Sequence, residues 1–387
     1  MPSVDLPGLL ARLEPVVREV IAPAAAQIDT ESAWCEPGIR ALQAAGFGGL
    51  VVPQETGGLG HGLLALTQVC ESIGRTCGST AISYGMHCVG AAVIAAQATD
   101  VQKHRYLVPI SAGTHLTTLA LSEQGTGSHF YLPQTTMAPT SDGQVQLSGS
   151  KSFVTNGGCA DSYVVSVAPG VANAPPGEFS CFVVPAATPG LVWQEPWQGW
   201  GMRGNSARSL EIRQAVIARD GLLGREGDEI WYVFQVVAPF FLMAMAGTYL
   251  GIAQACLDAG RTHLMRRSYS HTGQSLGQNP VLQHRLGELW SQVERTRQLI
   301  YHAAALGDRQ TADALPALCA AKAEVAECVV TLANEVMTLM GGRAYGSDSP
   351  IHRYLRDARA AHIMSPTTDI LRTWTGRALL DLPLLGD

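Results

Sequence analysis

The stretch Leu147-Ser148-Gly149-Ser150-Lys151-Ser152-Phe153-Val154-Thr155-Asn156-Gly157-Gly158 lies in the middle third of the chain. Its surroundings decide how the remainder is read. From about Leu116 to Ile230 short β-like runs recur, among them Val164-Val165-Ser166-Val167, Phe182-Val183-Val184 and Leu210-Glu211-Ile212. Gly, Pro and Asn separate these runs, and Pro175-Pro176-Gly177 marks one of the turns. The middle third is therefore expected to be a β domain.

Outward from it, towards the N-terminus, the pattern turns helical. Leu9, Leu10, Leu13, Val16, Val17, Val20 and Ile21 recur at three- and four-residue spacings, and Leu63 to Ala96 continues as apolar helix with small residues. Gly57-Gly58-Leu59-Gly60 punctuates that region as a loop. After Asp228 long helices return, over about 230–269, 281–306 and 312–340, with a shorter one over about 368–380. They are apolar on more than one face, which predicts burial by other helices or by subunit contacts. The expected organisation is an α+β multidomain chain: a helical domain over 1–115, a β domain over 116–229 and a helical domain over 230–387.

A chain of 387 residues that is 47% hydrophobic has ample material for packed cores. Its formal net charge is −6, with 26 Lys and Arg spread against 32 Asp and Glu, so it lacks the basic footprint that nucleic-acid binding needs. The nine cysteines are scattered, with no CxxC pair and no His/Cys cluster at metal-ligand spacing. Reduced, buried thiols and no metal site are expected. Met1-Pro2-Ser3-Val4-Asp5 lacks a basic region followed by an apolar core. No apolar run approaches the ~20 residues that span a bilayer. Both features point to a cytoplasmic protein without a membrane segment.

Several motifs resolve to ordinary structure. Gly125-Thr126-Gly127-Ser128-His129-Phe130 begins like a dinucleotide fingerprint but has no third glycine and no βαβ setting. Gly273-Gln274-Ser275-Leu276-Gly277 matches GxSxG, yet a nucleophile elbow joins a strand to a helix, and this one lies between helices. It reads as a polar loop, with a hydrolase as the reading it would otherwise support. His263, His271 and His284 are too irregularly spaced for a metal site and are expected at helix ends or in loops. Trp197 and Trp200 are expected to pack at the edge of the β domain.

Four segments in a fixed order carry more weight. Leu119-Ala120-Leu121-Ser122-Glu123-Gln124-Gly125-Thr126-Gly127-Ser128 precedes the opening stretch. Gly201-Met202-Arg203-Gly204-Asn205-Ser206-Ala207-Arg208 follows it, and then Met340-Gly341-Gly342-Arg343-Ala344-Tyr345 runs on into Arg356-Asp357. Together they resemble the acyl-CoA dehydrogenase family over nearly the whole chain, and the opening stretch and the last segment are highly specific for it.

The resemblance implies an N-terminal helical domain, a middle β barrel and a C-terminal four-helix bundle. It also implies a homotetramer or homodimer with FAD held between domains and across a subunit boundary. Carried over residue by residue, Leu121, Ser122 and Thr155 would face the isoalloxazine and Phe153 would stack on it. N–H and O–H donors there would stabilise the negative charge that arrives with a hydride. Gly127 and Ser128 belong to the same turn, and Ser128 would also contact the pantetheine or phosphate region of the acyl carrier. Gly341 and Gly342 would let the backbone approach the pyrophosphate of a neighbouring subunit's FAD, and Arg267 would pair with it. Thr367 and Asp369 match further FAD-contacting positions. Thr338 stands where the family has a glutamine, so the adenine end is expected to be held differently.

The same resemblance implies an acyl thioester substrate on CoA or an acyl carrier protein, with electron-transfer flavoprotein or oxygen as electron acceptor. Dehydrogenation requires the α-proton to be removed as hydride leaves Cβ, ordinarily by a positioned carboxylate. The family supplies it from the position matching Ser365 or, in some branches, from the helix position matching Phe241; Leu242 replaces the arginine that follows the latter. Neither residue can act as a base. A relocated base could come from Asp369, Glu123, His87 or His362. Otherwise the substrate is activated enough to need none, the chemistry is elimination, cyclisation or oxygenation, or the site is inactive and the protein structural. Thr80-Ala81-Ile82-Ser83-Tyr84-Gly85-Met86-His87 matches the helix that floors the acyl pocket. Ser83 and the bulky or polar Tyr84, Met86 and His87 there imply a short or functionalised acyl group. The leading expectation is Cα–Cβ oxidation of a short acyl thioester with a non-standard base.

Overall fold

The computed structural model describes residues 5–127, 129–169, 178–346 and 348–385. Ser128 and the turn at Pro175-Pro176-Gly177 lie outside them. The N-terminal part is helical: Leu6–Val16 and Ala22–Glu31 are joined through the π-helical Val17–Ile21. Glu36–Ala44, Leu63–Gly74 and Gly78–Ala96 follow. The segment expected to be continuous from Leu63 to Ala96 breaks at Arg75-Thr76-Cys77, where the chain turns back on itself.

Helix Gly78–Ala96 is buried almost all round, on β1 (Thr117–Ala120) and on the long helix Glu229–Arg266. Both helices are long and apolar enough to cross a membrane, contrary to the expectation that no segment is, but 89% and 83% of their apolar windows are buried inside the fold. They are core helices. Close packing depends on two glycines. A Cβ at Gly247 would lie 2.2 Å from the Thr67 carbonyl oxygen, and one at Gly74 2.5 Å from that of Thr248. Glycine lets helices Leu63–Gly74 and Glu229–Arg266 touch backbone to backbone.

The middle domain contains β1, β2 (Thr136–Pro139), β3 (Val145–Val154), β4 (Ser162–Pro169), β5 (Ser180–Pro185), β6 (Leu191–Pro196), β7 (Arg208–Ile217) and β8 (Leu222–Leu223). They form one mixed eight-stranded sheet in the order β6-β7-β3-β2-β4-β5-β8, with β1 parallel to β4 off this path. This mixed sheet forms the β domain expected in the middle of the chain, and no ladder joins β6 to β8 among the described residues. In β3 the register against β7 shifts between Lys151 and Val154. That irregularity frees Ser152 and Phe153 from the ladder, and Phe153 adopts φ +54°.

The C-terminal domain continues with Pro280–Asp308, Ala314–Met340, Ile351–Ile363 and Thr368–Leu379. Helix Ile351–Ile363 is an addition to the expected set. It is rich in Arg and His and buries only a narrow face through Ile351, Asp357, Ala358 and Ala361, so no apolar run marks it in the sequence. All nine cysteines are free, and eight of them are buried.

Candidate flavin and acyl site

A cavity of about 480 Å³ lies where the three parts meet. The sheet contributes Leu121, Ser122, Phe153 and Thr155, and the C-terminal segment contributes Ala360 and Ser365. Ile82 and Met86 enter from helix Gly78–Ala96, and Phe241 and Met245 from Glu229–Arg266.

The segment Leu121–Glu123 is fixed by a buried ion pair. Lys151 Nζ donates to Glu123 Oε1 at 2.6 Å, to Ser166 O at 2.6 Å and to Ser166 Oγ at 3.1 Å. Glu123 Oε1 also accepts from the backbone N of Thr135 at 3.0 Å and from its hydroxyl at 2.8 Å, and Oε2 accepts from Gln134 N at 2.8 Å. Burial alone would raise this carboxyl, but the Lys151 ammonium and the Thr135 donors outweigh it and hold Glu123 below the usual glutamate range. Ser152 N then donates to Ser122 O at 2.8 Å, and Thr118 Oγ1 to Thr155 O at 3.0 Å. The backbone around Ser122 and Thr155 is therefore set, and both residues line the cavity.

Trp197 and Trp200 are not packed at the edge of the β domain. They are 61% and 62% exposed and line the cavity with Phe153, itself 59% exposed. Phe153 and Trp197 meet edge to face, with centroids 5.3 Å apart. The loop that carries the tryptophans is tied to the C-terminal domain. Arg356 Nη1 donates to Trp200 O at 2.9 Å and to Asp29 Oδ1 at 2.9 Å. Asp357 accepts from Met202 N at 2.6 Å, and burial pushes its carboxyl up to about 6. The Arg-Asp pair therefore positions one wall of the cavity.

Several expected substrate contacts stand elsewhere. Ser83 is fully buried, and its carbonyl accepts from Asn156 Nδ2 at 2.9 Å. Tyr84 donates its hydroxyl to Phe47 O at 2.9 Å. His87 Nε2 lies 2.9 Å from Gly48 O, and its Nδ1 accepts from Thr117 N at 3.1 Å. These three face the core because helical rotation gives the cavity Ile82 and Met86, one turn apart, instead. Leu242 is likewise buried in the core, one position round the helix from Phe241.

None of the four candidate replacement bases is free to act in the cavity. Glu123 has both oxygens occupied and His87 is sealed in the core, where burial lowers it to about 4. His362 Nδ1 is paired with Thr368 Oγ1 at 3.2 Å. Asp369 is exposed on the first turn of Thr368–Leu379. Neither His362 nor Asp369 lines the cavity. Ser365 and Phe241 do.

Arg267, Thr338, Gly341, Gly342, Thr367 and Asp369 do not reach this cavity within one chain. Gly341 has φ +64°, and neither it nor Gly342 has an atom within 4 Å of where a Cβ would be. Arg267 and Arg343 stand close enough to His263 to lower it further after burial has done so. An open glycine turn that ends on Arg343 suits an anion. Thr338 bonds back to Asn334 O at 3.0 Å and Thr367 occupies the N-cap position of the last helix. Ser275, the serine of the GxSxG match, caps the 3₁₀ turn Leu276–Gln278 in an exposed loop and has no elbow geometry.

An exposed aromatic face, two hydroxyl-bearing residues on fixed backbone and a volume in the range of small-molecule sites fit a flat ring with hydrogen-bonding edges. Fold and site together define a flavin-dependent oxidoreductase. The chain matches the family models of the acyl-CoA dehydrogenase N-terminal domain over residues 9–114, the middle domain over 118–215 and the C-terminal domain over 231–380. It is 30% identical to the mitochondrial short-chain specific acyl-CoA dehydrogenase of Bos taurus, across 96% of this chain and 90% of that protein. It is 28% identical to the mitochondrial isovaleryl-CoA dehydrogenase of Oryza sativa subsp. japonica, across 94% and 88%. Glutaryl-coenzyme A dehydrogenase, solved as its glutaryl-CoA complex, superimposes with a TM-score of 0.91 at 26% identity, across 99% of this chain and 97% of that one. The chain belongs to the acyl-CoA dehydrogenase family. Its cofactor is FAD, and it is a flavin oxidoreductase acting on CH–CH groups.

Proposed function

We propose that this enzyme oxidises the Cα–Cβ bond of a short acyl thioester, on CoA or a carrier protein, without a protein carboxylate as proton acceptor. One observation carries the reading. Glu123 is the only carboxylate among the described cavity-lining residues, and both its oxygens are already hydrogen-bonded. The FAD supplies a hydride acceptor when bound. Ser122, Leu121 and Thr155 would hold and polarise its ring, and Phe153 would stack on it. A short acyl group is favoured because Ile82, Met86, Phe241 and Met245 crowd a cavity that must also take the ring.

The α-proton must then leave to water or to a group on the substrate itself, which favours acyl groups with an acidified α-position. At the far end Arg267, Gly341 and Gly342 would serve the FAD pyrophosphate of a second copy, which supports a homodimeric or homotetrameric enzyme. We assign the reaction to the cytoplasm, with electron-transfer flavoprotein or oxygen taking the electrons.

Anaerobic mixing of FAD-loaded protein with short acyl thioesters should bleach the flavin. Flavin that stays yellow with every acyl thioester while the thioester is converted would favour the redox-neutral alternative, elimination or cyclisation. Ser365→Glu should raise the bleaching rate with an unactivated substrate such as a butyryl thioester by about 10²-fold, the lower range of general-base catalysis. An unchanged rate, in a variant that still binds FAD, would count against Ser365 as the vacated base position.

A further inference from the structure

The loop that carries Ser365 is held from beneath by a buried cation. Lys322, within helix Ala314–Met340, has no solvent exposure. Its ammonium donates to the carbonyl oxygens of Ala361 at 2.8 Å, Met364 at 3.2 Å and Pro366 at 2.9 Å. Three N–H donors meet three acceptors, and those acceptors lie on both sides of Ser365. No carboxylate pairs with Lys322 among the described residues. The titratable groups that face it are Cys319 on its own helix and His362 on the helix Ile351–Ile363.

A buried ammonium is expensive to desolvate, and an apolar side chain of the same length would fill the space more cheaply. What Lys322 provides is the termination of Ile351–Ile363. Met364 leaves the helix in extended conformation, φ −63° and ψ 121°, without the left-handed turn that caps many helix ends. The Ala361 carbonyl therefore meets an ammonium, and a cation at this end also suits the helix dipole. On the other side of the loop the Tyr249 hydroxyl reaches Met364 Sδ at 3.4 Å. The backbone on both flanks of Ser365 is thus held by one ammonium, and a second helix touches the Met364 side chain.

We propose that Lys322 is a positioning residue for the reaction: it sets where the Ser365 hydroxyl stands on the cavity wall, and that hydroxyl hydrogen-bonds the bound acyl thioester. The inference rests on the reading that Ser365 faces the substrate. It extends that reading to a residue outside the cavity.

A double-mutant cycle in the FAD-loaded enzyme tests it, with Ser365→Ala, Lys322→Met and the pair together. Each variant is titrated with a thioether analogue of a short acyl thioester, which cannot be oxidised, and binding is read from the flavin absorption band. Turnover is measured in parallel. Each single substitution should weaken analogue binding by about fivefold to tenfold, the worth of one hydrogen bond. Lys322→Met should cost nothing more once Ser365 is alanine. An equal loss in both backgrounds overturns the proposal, because a merely structural lysine acts whether or not the hydroxyl is present. Ser365→Ala with unaltered analogue binding also overturns it, together with the reading that Ser365 faces substrate. If Lys322→Met does not fold, Lys322→Gln keeps an N–H donor pair and carries the same comparison with a smaller effect. The analogue titration does not depend on desaturation, so an enzyme that never bleaches with acyl thioesters would refute the proposed function and leave this test intact.

Discussion

Glu229 should make this enzyme lose stability as the pH rises, and Glu229→Gln should remove that loss. The residue occupies the first turn of the long helix Glu229–Arg266 and is fully buried. Among the described residues neither carboxyl oxygen has a hydrogen-bond partner. Burial raises its pKa from 4.5 to about 8, with Lys151 pulling back in the other direction. The folded state therefore keeps a proton that the unfolded chain releases, and the fold is weakened progressively as pH rises from 4.5 to about 8. At about 1.4 kcal/mol per pH unit the loss reaches about 3 kcal/mol at pH 7 and about 4 kcal/mol at pH 8, where the folded-state carboxyl is itself half ionised. Glutamine has the same shape and stays neutral throughout. Denaturant midpoints of the FAD-loaded protein at pH 5, 7 and 8 should lie closest for the two proteins at pH 5 and diverge above it, with the variant the more stable. Parallel curves would show that Glu229 is ionised and solvated in the fold, and the reasoning from its missing partners would fail.

Two further predictions concern the same core. His87 is satisfied as a neutral ring and lowered to about 4 by burial, so its contribution is complete above 6.5 and lost as pH falls towards 4. It supplies about 3 kcal/mol of acid sensitivity, and His87→Gln, which can still donate and accept, should flatten the acid limb of the unfolding curve. Gly247→Ala would set a Cβ 2.2 Å from the Thr67 carbonyl oxygen. It should cost about 2 kcal/mol or more despite alanine's better helix propensity, read as a lower melting temperature with the FAD spectrum retained.

The layout of helices, sheet and helices was legible because each part keeps one hydrophobic period over many residues. The turn between helices Leu63–Gly74 and Gly78–Ala96 was not read, although Gly74 and Gly78 flank the polar Arg75-Thr76, because no proline stands there and apolar helix resumes at once on both sides. Helix Gly78–Ala96 also hides its own orientation. A helix buried on every side has no polar stripe to reveal its rotation, so Tyr84 and His87 looked as well placed as Ile82 and Met86. The resemblance to the acyl-CoA dehydrogenases assigned Ser122, Phe153, Thr155, Phe241 and Ser365 to one site, and all five line the cavity. Lys322 and Glu229 had no such assignment. A lysine within an apolar helix and an acid in a first helical turn both look like ordinary surface choices, and only their burial gives them a role.

Trp197 and Trp200 are exposed for a reason that also lies in the backbone. Aromatic residues beside a glycine in a β domain normally pack, yet Arg356 and Asp357 hold this loop by its backbone, through Trp200 O and Met202 N, and leave the indoles free. Backbone anchoring keeps the wall rigid without using its side chains, as Lys322 does for the Ser365 loop and as Glu123 and Lys151 do for Leu121 and Ser122. Three walls of the cavity are thus set by buried charges acting on main-chain groups. A substitution in a cavity-lining side chain therefore changes chemistry with little change of geometry, which is the condition under which a serine can replace a carboxylate while the surrounding site stays intact. On the proposed reading, what the serine gives up on the protein side has to be made good by the acidity of the substrate's own α-proton. Bleaching rates across a series of acyl thioesters should then rise as that acidity rises, and more steeply in the native enzyme than in Ser365→Glu.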